Sequence, residues 1–182
     1  MSVQDCPLKP EEGRLLLSSF VLDERGCLSD RYVVVTAKPR REILGESCEI
    51  YFENQRVVLF WAERIRTIGG VWKKAPGAEW NGFATLQECL TLGLEIIREK
   101  KATRWLTDSR EMPVIPPEAQ KWTNEVWWPQ AVDLGFRWLA VVMPQSVISQ
   151  LALTRSIMAS MRQETNYFGS TDEAIQWLCS KP

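Results

Sequence analysis

The sequence contains no histidine, and this absence excludes several kinds of catalysis. Histidine is the one side chain whose unperturbed pKa lies near neutrality, so it is the usual proton shuttle and a common metal ligand. Ser-His-Asp and Cys-His mechanisms are therefore ruled out. An enzyme with this sequence would need an aspartate, a glutamate or a lysine with a strongly shifted pKa, and no spacing in the chain demands one.

Other features that the sequence lacks narrow its class further. No apolar run approaches the roughly 18 residues of a membrane-spanning helix, and the polar first residues predict no signal peptide. The net charge of -1 gives no reason to expect a nucleic-acid partner. No C-x-x-C pair occurs, so neither a zinc ribbon nor a thioredoxin-type redox site is supported. We expect a cytoplasmic protein without a membrane span, a metal or a cofactor.

Tryptophan, in contrast, is abundant: there are nine, roughly fourfold above average composition. Its large amphipathic ring suits either a core wall or a binding surface. The length of 182 residues and the hydrophobic content of 45% suit one globular domain with an appendage. We interpret the five widely spaced cysteines as small buried hydrophobic residues: Cys6, Cys27, Cys48, Cys89 and Cys179.

Residues 48–62 hold two β-rich runs around a polar turn, which predicts a hairpin. Residues 63–84 are interrupted by Gly-Gly, Pro-Gly and Asn-Gly pairs, which predicts a long loop. This loop carries Trp72 and Trp80. If exposed, they would form a binding patch or a lid over the strand ends; if buried, they would close the open end of the sheet.

The rest of the chain alternates helix and strand patterns. The predicted elements are a helix opened by a capping box at Thr85, a strand over 104–107, a helix over 116–136, a strand over 136–144, a helix over 146–163, a strand over 165–169 and a helix over 171–180. This order predicts an α/β fold, a sheet with helices packed against it, over residues 48–182. Residues 1–47 form an N-terminal extension whose two β-like runs suggest a hairpin.

We expect the apolar positions of these elements to form one core between helices and sheet. Its predicted members are Leu90, Leu94, Ile97, Leu106, Leu139, Val141, Ile175 and Leu178. Two adjacent tryptophans in the 116–136 helix pose a packing question, since Trp127 and Trp128 are about 100° apart on a helix. With Trp122 and Val126 taken as the core stripe, one of the pair faces a cleft, a loop or a partner, unless the helix has a wide core face.

The strand over residues 104–107 ends at Asp108-Ser109. Such a pair is a strand-end turn, a phosphorylation switch or part of a catalytic site. Ligands of α/β sheets bind at the carboxyl ends of strands, so Asp108, Ser109, Arg110 and Glu111 are placed to face a cleft. We expect this cleft to be bordered by the preceding loop and the next helix, with Ser109 accessible in it.

Four stretches together carry a family resemblance. They are "WLTDSREM" at 105–112, "EVWWPQAVDLGF" at 125–136, "RWLAVVMP" at 137–144 and "YFGSTDEAIQWL" at 167–178. In this order they resemble the SpoIIAA-like group of the STAS fold, the sulfate-transporter and anti-sigma-factor-antagonist domain. That group has many bacterial members and a fold related to CRAL-TRIO lipid-binding domains. The resemblance covers roughly residues 48 to 179.

The resemblance implies a STAS-like sheet with helices packed on it, a role in signalling and no catalytic activity. In anti-sigma-factor antagonists, a partner kinase phosphorylates a Ser or Thr that follows an Asp at the end of a central strand. This makes Ser109 the candidate phosphorylation site. The candidate residues of a ligand or partner cleft are Asp108, Arg110, Glu111, Trp72, Trp80, Trp127 and Trp128.

Three functions follow as hypotheses. The first is a non-enzymatic STAS-like module that acts in regulation through contacts with a protein partner, a second copy included, or through a small bound ligand. The second is a carrier or sensor of an apolar molecule, which needs an apolar cavity of several hundred cubic ångströms. The third is an enzyme that uses Asp, Glu or Lys without histidine.

Overall fold

The fold was obtained as a computed structural model that describes residues 14–22, 28–36, 40–74, 82–157 and 163–182. The chain divides into two compact units, Met1–Lys38 and Pro39–Pro182. In the first unit, β1 (Arg14–Leu22) and β2 (Leu28–Thr36) pair antiparallel. These strands match the two β-like runs of the N-terminal extension.

The second unit is built on a seven-stranded mixed sheet. Its strands are β3 (Arg41–Ile43), β4 (Glu46–Glu53), β5 (Val57–Ala62), β6 (Thr67–Trp72), β7 (Arg104–Asp108), β8 (Trp138–Val142) and β9 (Glu164–Phe168), and they lie side by side in chain order. Strands β3 to β6 pair antiparallel and strands β6 to β9 pair parallel. The α/β class is thus confirmed. The unit begins before residue 47 because β3 and the start of β4 are already part of the sheet.

Helices cover both faces of the parallel half of the sheet. They are α1 (Gly82–Lys100), α2 (Pro117–Trp122), α3 (Trp128–Asp133), α4 (Val147–Ile157) and α5 (Thr171–Cys179). Residues of α1, α3 and α4 pack over Trp105 and Leu139, whereas α5 packs over Leu106 on the opposite face. We call these the cavity face and the closed face. None of the described helices is long and apolar enough to cross a membrane.

The predicted loop over residues 63–84 contains a strand that the sequence analysis missed. Strand β6 pairs with β5 on one side and with β7 on the other, so it joins the two halves of the sheet. Gly69 and Gly70 were interpreted as chain breakers, but each leaves room for an aromatic ring. A Cβ at Gly69 would overlap the Phe60 ring, and Trp105 Nε1 lies 3.7 Å from the Cβ position at Gly70.

The predicted 116–136 helix is interrupted by one π-helical turn, Thr123–Trp127. The N–H of Trp128 donates to the carbonyl of Thr123, five residues back, and this extra residue rotates the following side chains. The expected core stripe was therefore wrong: Val126 is 41% exposed, while Trp127 and Trp128 are 2% and 4% exposed. Of the alternatives left open for these two tryptophans, a cleft or a wide core face, the structure shows both side chains buried and both lining one cavity.

Other expectations concern the ends of helices and the core. Helix α5 begins with a side-chain cap, since the Glu173 N–H donates to Ser170 Oγ over 3.3 Å. Helix α1 begins at Gly82, so Thr85 lies inside it rather than at its cap. The predicted core residues are divided between two sides of the sheet, because Leu106 and Leu178 share the closed face while Leu139 lies on the cavity face.

Candidate functional site

An apolar cavity of about 70 Å³ lies between one face of the sheet and helices α1, α3 and α4, and it extends to the carboxyl ends of β6 and β7. Its sheet side includes Gly70, Trp72 and Trp105. Met112 and Ile115, from the segment between β7 and α2, form a further wall. The carboxyl end of parallel strands is the usual ligand position in α/β sheets.

Two tryptophans hold the helices around this cavity. The indole N–H of Trp127 donates to the Leu90 carbonyl of α1 over 2.7 Å. The indole N–H of Trp128 donates to the Ser156 carbonyl of α4, also over 2.7 Å. Their rings are in edge contact with a centroid separation of 4.6 Å. Because the π-helical turn directs both rings inward, a single segment fixes α1 and α4 to each other.

No charged side chain lines the cavity among the described residues. Its polar side chains include Thr123 and Ser156, whose hydroxyls donate to the carbonyls of Ala119 and Leu153 over 2.8 Å and 2.7 Å. Burial raises the pKa of the Cys89 thiol to about 12, with the charge of Glu88 as a smaller cause, so the thiol is neutral at physiological pH. The cavity is therefore an uncharged environment.

Ser109 lies on the cavity face, next to the wall of the cavity. Its hydroxyl is 3.1 Å from that of Thr107, which lines the cavity, and its N–H donates to the Val142 carbonyl. The expectation that Ser109 is accessible was wrong, because its side chain is fully buried. A turn also starts at Ser109, since the Met112 N–H donates to its carbonyl. Phosphorylation at Ser109 would first require its side chain to become exposed.

Asp108 lies on the closed face, because successive residues of a strand point to opposite sides and Leu106 is there. Arg110 donates hydrogen bonds to both carboxylate oxygens of Asp108, from Nε to Oδ1 over 2.9 Å and from Nη2 to Oδ2 over 2.6 Å. The Asp108 carboxylate in turn raises the pKa of Arg110. Glu111 is exposed. The predicted cluster is thus divided, with Ser109 on one face and Asp108 on the other.

The predicted cleft residues fall into three groups. Trp72, Trp127 and Trp128 do come together around the cavity. Asp108 and Arg110 form a separate ion pair, and Trp80 lies outside the described residues. The sequence analysis missed the roles of Trp105 and Met112. Alternation along β7 was the available signal for Trp105, since it shares a face with Thr107 and Ser109.

A second surface feature is an apolar patch on α4. Val147, Ile148 and Leu151 are 68%, 67% and 55% exposed, so this helix is apolar on its outer side as well as its inner side. Outer faces of surface helices are normally polar or charged. One cysteine also departs from expectation, since Cys179 is exposed while Cys48 and Cys89 are buried.

In comparisons with known proteins, no family model, curated protein or solved structure matches the chain. Within the part of the chain that the structure describes, no group of three or more His, Cys, Asp or Glu side chains is placed to hold a metal ion.

Proposed function

We propose that this protein is a non-enzymatic, STAS-like regulatory module of the cytoplasm whose α/β unit binds a small ligand in the cavity. The observation that carries the proposal is the cavity itself, which lies where α/β sheets bind ligands and is walled by four tryptophans. Two of these tryptophans, Trp127 and Trp128, are hydrogen-bonded to α1 and α4, which favours a preformed site.

The carrier hypothesis is the weaker alternative because of volume. Binding sites for larger molecules enclose about 300–1,000 Å³, whereas this cavity has about 70 Å³. An engineered apolar cavity that binds benzene is also larger, at about 150 Å³. The size favours a molecule of a few heavy atoms over a lipid.

The enzyme hypothesis finds little support in the geometry of the carboxylates. Asp108, its first candidate, lies on the closed face and both of its oxygens are bound by Arg110. A general base needs a free carboxylate within hydrogen-bond reach of the reacting group. The polar groups nearest to the cavity are neutral hydroxyls, such as those of Thr107 and Ser109.

The proposal can be tested by ¹³C-methyl spectra of the methionines, in which Met112 → Leu identifies the Met112 signal. A panel of small alcohols, ketones and hydrocarbons should include members that shift this signal and raise the melting temperature. The matched control is Gly70→Ala, which places a methyl group in the cavity with ordinary contact to Trp105 and should weaken every response. If no member of the panel moves Met112, the cavity is not a ligand site.

The protein-contact form of the same hypothesis is favoured by the α4 patch. Val147, Ile148 and Leu151 carry no charge, so two copies could pair this face about a twofold axis without repulsion at its centre. Sedimentation equilibrium should show a dimer that dissociates in the double variant Ile148→Ser/Leu151→Ser. Val114→Ser, which removes an exposed apolar side chain outside α4, is the control. A mass that corresponds to the monomer at all concentrations would contradict this form.

A further inference from the structure

The indole N–H of Trp105 has no hydrogen-bond acceptor among the described residues, although the side chain is only 4% exposed. Its contacts are edge-to-face with the rings of Trp127 and Phe136, at centroid separations of 5.5 Å and 6.4 Å. Its Nε1 is not one of the fully buried side-chain nitrogens and oxygens that lack a partner, so it retains some accessible surface. A donor that contacts a cavity and has no protein acceptor is available to a ligand, and a neutral hydrogen bond to it contributes about 0.5–1.5 kcal/mol.

The orientation of this ring is fixed by two glycines. Its six-membered end lies against α1 at Gly93, where a Cβ would overlap it. Its Nε1 lies 3.7 Å from the Cβ position of Gly70, and both Trp105 and Gly70 line the cavity. The lone donor therefore faces the open space rather than the packed side of the ring.

Four other indole and hydroxyl hydrogens around the cavity are already used. Those of Trp127 and Trp128 go to carbonyls, as do those of Thr123 and Ser156. The Trp105 Nε1–H, in contrast, makes no hydrogen bond to the described residues and is available to a ligand. Since the described lining carries no charged side chain, an ion would lose its hydration without compensation there.

We infer that the ligand is a small uncharged molecule with an acceptor oxygen, such as a carbonyl compound, and that Trp105 Nε1–H binds this oxygen. The inference rests on the proposed function, because it assigns the chemistry of a ligand to the same cavity. The apolar remainder of the ligand contacts the surrounding side chains, of which Met112 is the most flexible. Trp105 acts here as a specificity-determining residue.

Three probes of one branched shape separate the possible outcomes: acetone, its hydrocarbon isostere isobutene, and acetate. Each is titrated into the full-length protein labelled with ¹⁵N, in which the nine tryptophans give nine indole signals. Trp105→Phe identifies the signal of Trp105; if that variant does not fold, the signal is identified by its displacement in Gly70→Ala. Acetone should shift this indole proton downfield, isobutene should not, and acetate should not bind.

Affinities supply the second readout. The ratio of acetone to isobutene affinity should fall about tenfold in Trp105→Phe, which corresponds to one neutral hydrogen bond. The inference is overturned, and the proposed function survives, if isobutene and acetone bind but the Trp105 proton does not respond to acetone. Binding of acetate would overturn the requirement for an uncharged ligand. If none of the three probes perturbs the cavity, both this inference and the proposed function fail.

Discussion

On the closed face of the sheet, the Phe60 ring covers Gly69 and fills the space that the glycine leaves, whereas on the cavity face the Trp105 indole stops short of Gly70. The two glycines are neighbours in β6, and strand alternation directs them to opposite sides. The closed face is completed by small and medium side chains, such as Ala140, Ala174 and Leu178. The cavity face has larger rings that leave a space between them. Interiors are normally close-packed, so this space is the exception on which the proposed ligand site rests.

The largest expected difference between the faces concerns two leucines. Leu106 is surrounded by packed side chains on the closed face, while Leu139 borders the cavity. Leu106→Ala should cost about 4 kcal/mol and Leu139→Ala about 2–3 kcal/mol, because Leu139 has fewer contacts to lose. Urea unfolding of both variants measures this. Equal costs, with unchanged m-values, would show that the cavity face is as tightly packed as the closed face.

The two glycines give the next test. Gly69→Ala should destabilise by about 1–3 kcal/mol, because its methyl group would overlap the Phe60 ring. Gly70→Ala should stabilise by about 0.4–1 kcal/mol, because the methyl group has room and the unfolded chain loses freedom. The same denaturation series measures both. If Gly70→Ala destabilises as much as Gly69→Ala, the space over Gly70 is not open.

These glycines also show why sequence patterns predicted most of the fold but missed β6. Glycine pairs usually mark turns, and the rings that cover Gly69 and Gly70 come from Phe60 and from Trp105, which is 35 positions after Gly70 in the chain. Strands with unbroken apolar patterns, such as β8, were predicted within two residues at each end. A pattern of neighbouring residues in the sequence carries no information about a ring that belongs to a strand far along the chain.

The site was predictable only in part for a similar reason. The position of the site at the carboxyl end of β7 was predicted from the first polar residues at the end of that strand. Trp72, Trp127 and Trp128 were predicted as candidate residues of the site. The π-helical turn changed which side chains of the helix point inward, and helical periodicity assumes that no such turn exists. Pro129, which cannot donate a backbone N–H, was the available sign of an irregularity. It marked the region of the irregularity but not its type.

A smaller effect is expected at the hydroxyl pair beside the cavity. Ser109→Ala should cost about 1 kcal/mol, because it leaves the Thr107 hydroxyl without its partner at 3.1 Å. The double variant Thr107→Val/Ser109→Ala should recover most of that loss, since both partners are then apolar. A double-mutant cycle by thermal denaturation measures the coupling. Additive costs would mean that the two hydroxyls are not bonded to each other.

The smallest effect concerns a charged cluster on the same side of the sheet as the cavity, where α1 ends. Here Glu49 accepts hydrogen bonds from Tyr51 and from Lys100, at 3.2 Å and 3.0 Å. Glu99 has its Oε2 buried without a hydrogen bond. Burial, and to a lesser degree the charge of Glu49, raises the pKa of Glu99, while Lys100 lowers it.

A raised pKa means that the folded protein holds the Glu99 proton more tightly than the unfolded chain does. The stabilisation from this proton is complete below the ordinary glutamate value of 4.5 and is lost as the pH rises through the raised value. Glu99→Gln keeps the shape and removes the charge, so it should be more stable than the native protein at pH 7 and equal to it at pH 3. Urea unfolding at both values measures the difference, and Glu88→Gln, an exposed position on the same helix, is the control. If the gain in stability at pH 7 persists unchanged at pH 3, the amide group is responsible for it rather than the missing charge. The ionised Glu99 carboxylate would then not destabilise the folded protein.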